Sequence, residues 1–276
     1  MSDPGVCHGA RTGELCLLCG LWLREAAQGF RDVGGTQEKP GIYPGNIVID
    51  SATMVIQDLQ QSISIAEQEK RNLKGKTLIT AVVRQIAKDH FQQVEGRSKD
   101  DILAICERLL DSVGWYERTI AFQWAFRIRR QYADSDFGRF ETWLEKYVNG
   151  WDSCDDFCTH AFGYLIYAFP EHISAVKTWI PSGNRWFRRG AAVVMIYGIR
   201  RGQGFEPAFE IAEQLLLDED DLVQKGYGWM LKEISKYEPQ QVFEFVMDRK
   251  AVMPRTSLRY AIEKLPTELR YRAMEK

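Results

Sequence analysis

The sequence predicts an all-α fold built from helical hairpins, and three observations support this. From about residue 50 onward, apolar residues recur at three- and four-residue intervals in nearly every segment, which is the period of a helix with one buried face. No run alternates apolar and polar residues beside a hairpin turn, so β-strands are not expected. Prolines fall between the periodic runs, where they fit the first turn of a helix.

The helical pattern begins with two long segments and continues through shorter ones. The first two are ATMVIQDLQQSISIAEQEKRNL and KTLITAVVRQIAKDHFQQV. They are followed by DDILAICERLLDSV, WYERTIAFQWAFRIRRQY, FETWLEKYV and DDFCTHAFGYLIYAF. In each segment the apolar residues fall on one side of a helix, which predicts that each helix buries one face against its neighbours.

A sequence repeat spaces these helices at a nearly constant interval. Related segments begin at Trp115, Trp151, Trp186 and Leu222, in steps of 36, 35 and 36 residues, and a looser copy begins at Met253. Shorter helical segments lie between the copies. Paired helices at this period are typical of a HEAT-like α-solenoid, in which each repeat packs on the next and the stack presents an extended concave surface.

Composition and charge limit the possible environments and partners. A chain of 276 residues that is 45% hydrophobic can bury a substantial core, and its net charge of −2 neither favours nor excludes a polyanionic partner. No apolar run approaches the ~20 residues of a membrane span, and the N-terminus lacks the pattern of a secretory signal. We therefore expect a cytoplasmic protein with no membrane partner. Nothing in the sequence predicts an oligomer, so a monomer is expected.

The chain divides into two predicted regions. Residues 1–45 form an N-terminal extension and linker, which ends in the Gly- and Pro-rich stretch VGGTQEKPGIYPG that is typical of a loop. Residues 46–276 form the helical repeat domain. The six cysteines of a cytoplasmic protein are expected to be thiols or metal ligands rather than disulfides.

The N-terminal extension contains a candidate structural zinc site formed by Cys7, His8, Cys16 and Cys19. The Cys16-x-x-Cys19 spacing is typical of a metal-ligand pair, and Cys7 with His8 or a remote ligand would complete a tetrahedron. Incidental thiols in a tail, or cysteines buried in a packed helix, are alternative interpretations, because a single pair is a weak signal. His160, within an apolar segment, is interpreted as a core or surface histidine.

The phase of the repeat places basic residues at equivalent positions. Three residues after each opening position stand Arg118, Cys154, Arg189 and Lys225. Equivalent positions line one side of a solenoid, so a basic stripe is predicted. Further basic residues lie nearby in sequence, namely Arg185, Arg188, Lys232, Arg255 and Arg259. Such a stripe is typical of a surface that faces phosphates, with ordinary exposed helix charge as the alternative.

The segment NGWDSCDDF combines an aromatic residue with several acids. Trp151 precedes Asp155 by one turn, so both lie on one face of the predicted helix, where an indole and a carboxylate can hold a cation between them. Asp152 suits the positive end of the helix dipole, and Asp156 is expected to be solvated. A core tryptophan beside a solvated aspartate is an equally good interpretation of these residues alone.

Four ordered motifs resemble one protein family. They are WDSCD, NRWFRRGAAV, QKGYGWMLKEISKYEP and MPRTSLRYAIEKLP. Together they resemble the DNA alkylation repair glycosylases of the AlkD type. The resemblance implies a HEAT-like solenoid that holds duplex DNA in its concave groove and acts in base excision repair. The implied reaction is hydrolysis of the N-glycosidic bond of positively charged N3- or N7-alkylated purines, such as 3-methyladenine and 7-methylguanine, without base flipping.

The resemblance also implies which residues form the site. It assigns the catalytic carboxylate to Asp155, the two tryptophans that flank the lesion to Trp151 and Trp229, and the DNA-contacting arginine to Arg189. A second family arginine is replaced here by Lys232, which keeps the charge but loses the planar fork that binds phosphate through two hydrogen bonds. The implied chemistry requires no cofactor.

Two other functions remain open at this point. A non-catalytic relative that recognises DNA structure would keep the basic stripe, and the substitution at Lys232 is compatible with it. A helical-repeat scaffold that binds a protein partner would not need the four residues that the resemblance assigns to the site.

Overall fold

The computed structural model describes residues 50–72, 80–112 and 114–275 of the chain. Within these ranges the structure consists of α-helices, short 3-10 helices and turns, without a β-strand, and this confirms the predicted all-α fold. No helix in the described part of the chain has both the length and the apolar character needed to cross a membrane.

The helices are mostly short and follow one another through brief connections. Their bounds are α1 (Ser51–Asn72), α2 (Thr80–Phe91), α3 (Lys99–Leu110), α4 (Trp115–Arg127), α5 (Phe137–Tyr147), α6 (Trp151–Thr159), α7 (Ala161–Ala168), α8 (Ile173–Lys177), α9 (Arg185–Val193), α10 (Ile196–Ile199), α11 (Phe205–Gln214), α12 (Asp221–Ile234), α13 (Pro239–Arg249), α14 (Arg255–Ala261) and α15 (Thr267–Met274). The predicted repeat segments correspond to α4, α6 with α7, α9 with α10, α12 and α14.

Side chains just before two of these repeat helices determine where the helices begin. The Asn184 side chain accepts a hydrogen bond from the backbone N–H of Trp186 at 2.9 Å, and Asp220 accepts one from Leu222 at 2.9 Å. Such caps satisfy backbone donors that have no partner within the helix. The predicted opening residues of α9 and α12 therefore lie in first turns whose position the sequence dictates.

Each repeat helix packs against its counterpart in the next repeat. Helix α9 contacts α6 on one side and α12 on the other, and α12 contacts α14. Hydrogen bonds between side chains show the same spacing. Trp143 donates to Glu107 at 3.1 Å across 36 residues, and Trp179 donates to Glu141 at 2.6 Å across 38 residues. These contacts are those of a stack of helical hairpins with the predicted period.

An aromatic cluster in the core fixes the orientation of α6. Phe157 has no exposed surface, stacks on Phe122 with ring centroids 4.5 Å apart, and contacts the rings of Phe140 and Phe162. Truncation of a buried phenylalanine to alanine typically costs ~3–5 kcal/mol. Because Phe157 anchors one face of α6 in the core, the face that carries Asp155 is held towards a cavity.

Candidate active site

A cavity of about 310 Å³ lies beside α6. Its walls are formed by residues of α2, α4 and α6. Three aspartates of α6, Asp152, Asp155 and Asp156, line it together with Trp115 and Trp151. The structure therefore brings the predicted tryptophan and carboxylate to one concave site, as their spacing on a helix face indicated.

Trp151 is the first residue of α6, and 59% of its surface is exposed. The Ser153 hydroxyl bonds to both the N–H and the carbonyl of Gly150, which fixes the start of the helix. An aromatic side chain this exposed is not part of a core, so the interpretation of Trp151 as a core tryptophan is wrong. Trp115, which opens the preceding repeat, differs from Trp151 because its indole N–H donates a hydrogen bond to Asp152 at 2.7 Å.

Asp155 is held by Arg189 through a bidentate ion pair. Arg189 donates from Nε to Oδ1 at 2.9 Å and from Nη2 to Oδ2 at 2.8 Å. The guanidinium is only 5% exposed, and its Nη1 also donates to the carbonyl of Leu222. Gly226 makes this approach possible, since a Cβ there would lie 3.2 Å from Cγ of Arg189. One arginine thus joins three successive repeats and orients the carboxylate.

Burial and ion pairing act in opposite directions on Asp155. Burial raises the pKa of this carboxyl above its ordinary value of 3.8, and the charges of Asp152 and Asp156 add to the rise, whereas Arg189 opposes it. A buried carboxylate without a cation would favour the neutral acid. Arg189 is therefore the group that supports the ionised form of Asp155.

Asp156 is not solvated, contrary to the expectation from the sequence. Its side chain is 15% exposed, and burial raises its pKa, with His160 and Arg84 opposing the rise. Its Oδ1 accepts hydrogen bonds from Arg84 at 3.3 Å and from Gln123 at 3.5 Å, and lies 3.5 Å from Nδ1 of His160. Sequence reasoning missed this network, for which the only signal was the four-residue spacing of Asp156 and His160.

Trp229 lies on α12 and does not line this cavity. Its indole N–H donates to Glu233 at 3.0 Å, and the guanidinium of Arg200 lies 5.6 Å from the ring centroid. Burial works to raise the pKa of Glu233, but hydrogen bonds from Lys236, Arg200 and Trp229 outweigh it and lower the pKa to about 2. Glu233 therefore holds the second predicted tryptophan in place.

We expect Glu233→Gln to lower the free energy of unfolding by ~1.5–3 kcal/mol at neutral pH, because it weakens the hydrogen bonds between the buried carboxylate and Arg200 and Lys236, each 44% exposed. The pKa of Glu233 is lowered from 4.5 to about 2, so its stabilisation is present above pH 4.5 and is lost as the pH falls towards 2. Urea unfolding at several pH values measures this. The exposed Glu244→Gln is the control, and equal stability of both variants at neutral pH would contradict the assignment.

The matching family model, described as DNA alkylation repair enzyme, covers residues 65–265. The chain belongs to this family. A solved structure described as a predicted DNA alkylation repair enzyme from Enterococcus faecalis has a TM-score of 0.61 and 16% sequence identity, with 75% of this chain and 96% of that chain covered. At this identity the likeness shows a common fold. No curated protein matches the sequence.

Membership of the DNA alkylation repair enzyme family confirms the resemblance drawn from the four sequence motifs. It supports a role in DNA alkylation repair, as an enzyme with DNA as its partner. The cavity with Trp151 and Asp155 lies within the matched residues, as does the Arg189 that pairs with Asp155.

The basic residues predicted to contact DNA are mostly paired with acids one repeat away or one turn away. The pairs are Arg185–Asp220 at 2.9 Å, Arg188–Asp218 at 2.7 Å, Lys225–Asp221 at 2.5 Å and Lys232–Glu263 at 3.0 Å. Cys154 is buried and interrupts the stripe. The stripe is therefore a row of ion pairs with a weaker field than free cations would produce.

Two members of the stripe differ in their surroundings from the rest. Arg118 lines the cavity and donates to the carbonyl of Tyr147 at 3.0 Å and to the side chain of Asn149 at 2.7 Å. Arg185 keeps 52% of its side chain exposed despite its ion pair. Arg185 can meet a phosphate only by leaving Asp220, whose side chain is 12% exposed, without this cation.

The candidate zinc ligands Cys7, His8, Cys16 and Cys19 lie outside the described residues, so the zinc site stays a prediction. Within the part of the chain that the structure describes, no group of three or more histidine, cysteine, aspartate or glutamate residues could hold a metal ion. Cys158, next to Cys154 on α6, is a buried thiol whose pKa is raised by burial.

Proposed function

We propose that the chain is a DNA glycosylase that hydrolyses the N-glycosidic bond of positively charged N3- or N7-alkylated purines in duplex DNA. The observation that supports this most strongly is the exposed Trp151 beside the arginine-held Asp155 on the wall of one cavity. Residues 46–276 would form the catalytic domain, acting without a cofactor and without flipping the base into a protein pocket.

The reaction follows from the charge of the substrate. A purine alkylated at N3 or N7 carries a positive charge, so the electron pair of the breaking C1′–N bond neutralises the departing base. Positive charge then develops on the sugar as an oxocarbenium-like cation, which the carboxylate of Asp155 stabilises. A water molecule adds to C1′ and loses a proton, which leaves a free base and an abasic site.

The tryptophans would contact the duplex at two places, Trp151 at the damaged nucleotide and Trp229 further along the stack. An indole face attracts a cation within about 6 Å of its centroid, with a contribution of ~0.5–2 kcal/mol. Trp151 would contact the cationic nucleotide beside Asp155. Trp229, held by Glu233 and Arg200, would contact the duplex two repeats further along the stack.

The charge of the cavity wall favours a cationic base over an unmodified one. Three of the lining residues are acids, Asp152, Asp155 and Asp156, and two are cations, Arg84 and Arg118, so the wall keeps an excess of acidic groups that attracts positive charge. Arg118 and Arg185 would bind the phosphates that flank the lesion. In this way Arg118 on the cavity wall and Arg185 outside it would hold the backbone, while the modified nucleotide faces the acids.

The test is a panel of three duplexes that contain 7-methylguanine, the neutral base hypoxanthine, or no lesion at one position. We expect release of free base from the 7-methylguanine duplex only. Equal release of hypoxanthine would contradict selection by charge. Salt-dependent binding to all three without release would instead favour a non-catalytic DNA-binding relative.

A further inference from the structure

His160 lies on the wall of the same cavity as Asp155 and takes no part in the chemistry described so far. It stands at the break between α6 and α7, where its backbone N–H bonds to Phe157 at 3.4 Å. Its ring Nδ1 lies 2.9 Å from the carbonyl oxygen of Asp156 and 3.5 Å from the carboxylate of the same residue. About a third of the side chain, 34%, remains exposed.

The partners of Nδ1 determine which ring nitrogen carries the hydrogen. A carbonyl oxygen only accepts, so the contact with Asp156 requires a hydrogen on Nδ1. The Thr159 hydroxyl, 3.1 Å from Nδ1, donates its own hydrogen to the carbonyl of Asp155 at 2.6 Å, so it too acts as an acceptor towards the ring. Neutral His160 therefore carries its free lone pair on Nε2.

Neighbouring side chains hold the His160 ring in place. Phe126 of α4 packs edge-on against it with centroids 5.2 Å apart, and Arg129 covers Phe126 at 4.3 Å. The charged groups that face His160 are Asp156 on its own helix and Arg84 of α2, which pairs with that carboxylate. Together with the Asp156 carbonyl, this carboxylate orients the ring and fixes its tautomer, as an orienting acid does for a histidine base.

Asp155 is already engaged by a cation. Both of its oxygens accept hydrogen bonds from the guanidinium of Arg189, which supports the ionised carboxylate against the rise in pKa that burial causes. The carboxylate is thus suited to stabilise a cation. A second residue on the wall of the same cavity would then accept the water proton, while Asp155 stabilises the sugar cation.

We propose that His160 accepts this proton through Nε2 while Asp155 stabilises the sugar cation, an inference that rests on the proposed glycosylase function. The C1′–N bond breaks with its electron pair passing to the purine, the water oxygen bonds to C1′, and one water proton moves to Nε2. Asp156 is a positioning residue that holds the tautomer and the orientation of the ring.

The test uses His160→Asn, because the asparagine amide N–H occupies the place of Nδ1–H and can keep the bond to the Asp156 carbonyl while Nε2 is removed. The matched control is His90→Asn on α2, whose Nδ1 lies 3.1 Å from the carbonyl of Ile86, four residues earlier, outside the cavity. Release of 7-methylguanine under single-turnover conditions is followed from pH 5 to pH 9.

We expect His160→Asn to lower the rate constant about 100-fold at pH 8 and to change the shape of the pH profile, because a base takes part in the wild-type reaction and is missing in the variant. His90→Asn keeps the wild-type rate and profile. In His160→Ala, added imidazole is expected to restore part of the release, which a purely structural role of the ring would not allow.

Two results would overturn the proposal in distinguishable ways. If the wild type releases base and His160→Asn keeps its rate and pH profile, His160 is not the proton acceptor and the glycosylase function stands. If the wild type releases no base at all, the glycosylase function fails and the role of His160 fails with it.

Discussion

Asp155→Asn is expected to lower the release of alkylated purines by at least about 100-fold, because the amide has the shape of the carboxylate but not its charge. The stabilisation of a developing sugar cation depends on that charge, whereas contacts with the phosphates do not. Duplex affinity should therefore stay roughly unchanged. Single-turnover release of 7-methylguanine and fluorescence anisotropy with the same duplex measure the two quantities separately.

The matched control for this variant is Asp152→Asn. Asp152 lines the same cavity one turn earlier on α6, and its Oδ2 accepts the indole N–H of Trp115, a bond that the asparagine oxygen can keep. We expect a smaller loss of release than in Asp155→Asn, because Asp152 only adds to the charge of the cavity wall. A wild-type rate in Asp155→Asn, with thermal melting showing a folded protein, would remove Asp155 from the chemistry.

Arg189→Met is expected to have the largest effect on stability. It leaves the buried Asp155 without its cation and the Leu222 carbonyl without this donor, and breaking a buried ion pair in this way costs ~3–5 kcal/mol. Urea unfolding at neutral pH measures the loss. Lys225→Met is the control, because Lys225 occupies the equivalent position of the next repeat in an exposed pair with Asp221 and should lose less.

Arg189→Met also changes the pH at which activity is lost. Without Arg189, burial acts unopposed, so the pKa of Asp155 rises further above 3.8. The carboxylate must be ionised to act, and it is protonated below its pKa, so loss of activity on the acid side should move to higher pH. A variant with wild-type stability and an unchanged acid limb would contradict the role of this ion pair.

The repeat period allowed the fold to be predicted, and helix geometry correctly placed Trp151 and Asp155 on one face. Helix geometry could not predict the surroundings of Asp156, because the spacing of residues within one helix carries no information about the residues on the helices packed against it. The residue that covers this carboxylate, Arg84, comes from α2 and is 72 residues away in sequence. The residues that line the cavity could therefore be identified only from the three-dimensional structure.

The ion pairs of the basic stripe could have been predicted from the sequence separation of their cations and acids. Arg185 and Asp220 are 35 residues apart, and Lys232 and Glu263 are 31 apart, close to one repeat in each case. In a stack of repeats, a cation and an acid separated by one period lie on adjacent helices. A search for acids at that distance would have identified both cations as paired.

The buried position of Arg189 was the least predictable part of the site. The sequence placed it at an equivalent position of the repeat, which suggested exposure towards DNA. Its burial depends on Gly226, on the facing carboxylate of Asp155 and on the open carbonyl of Leu222, which belong to two other repeats. Arg189 is buried, and holds Asp155, only because three helices pack together around it.

The central claim, cleavage of the N-glycosidic bond, is tested most directly by identifying the products that the wild-type protein forms from a duplex with a single 7-methylguanine. Mass spectrometry of the soluble fraction and of the strand decides the outcome. The proposal predicts free 7-methylguanine and a strand that carries one abasic site. A strand that retains guanine without its methyl group, or an unchanged strand, would contradict it.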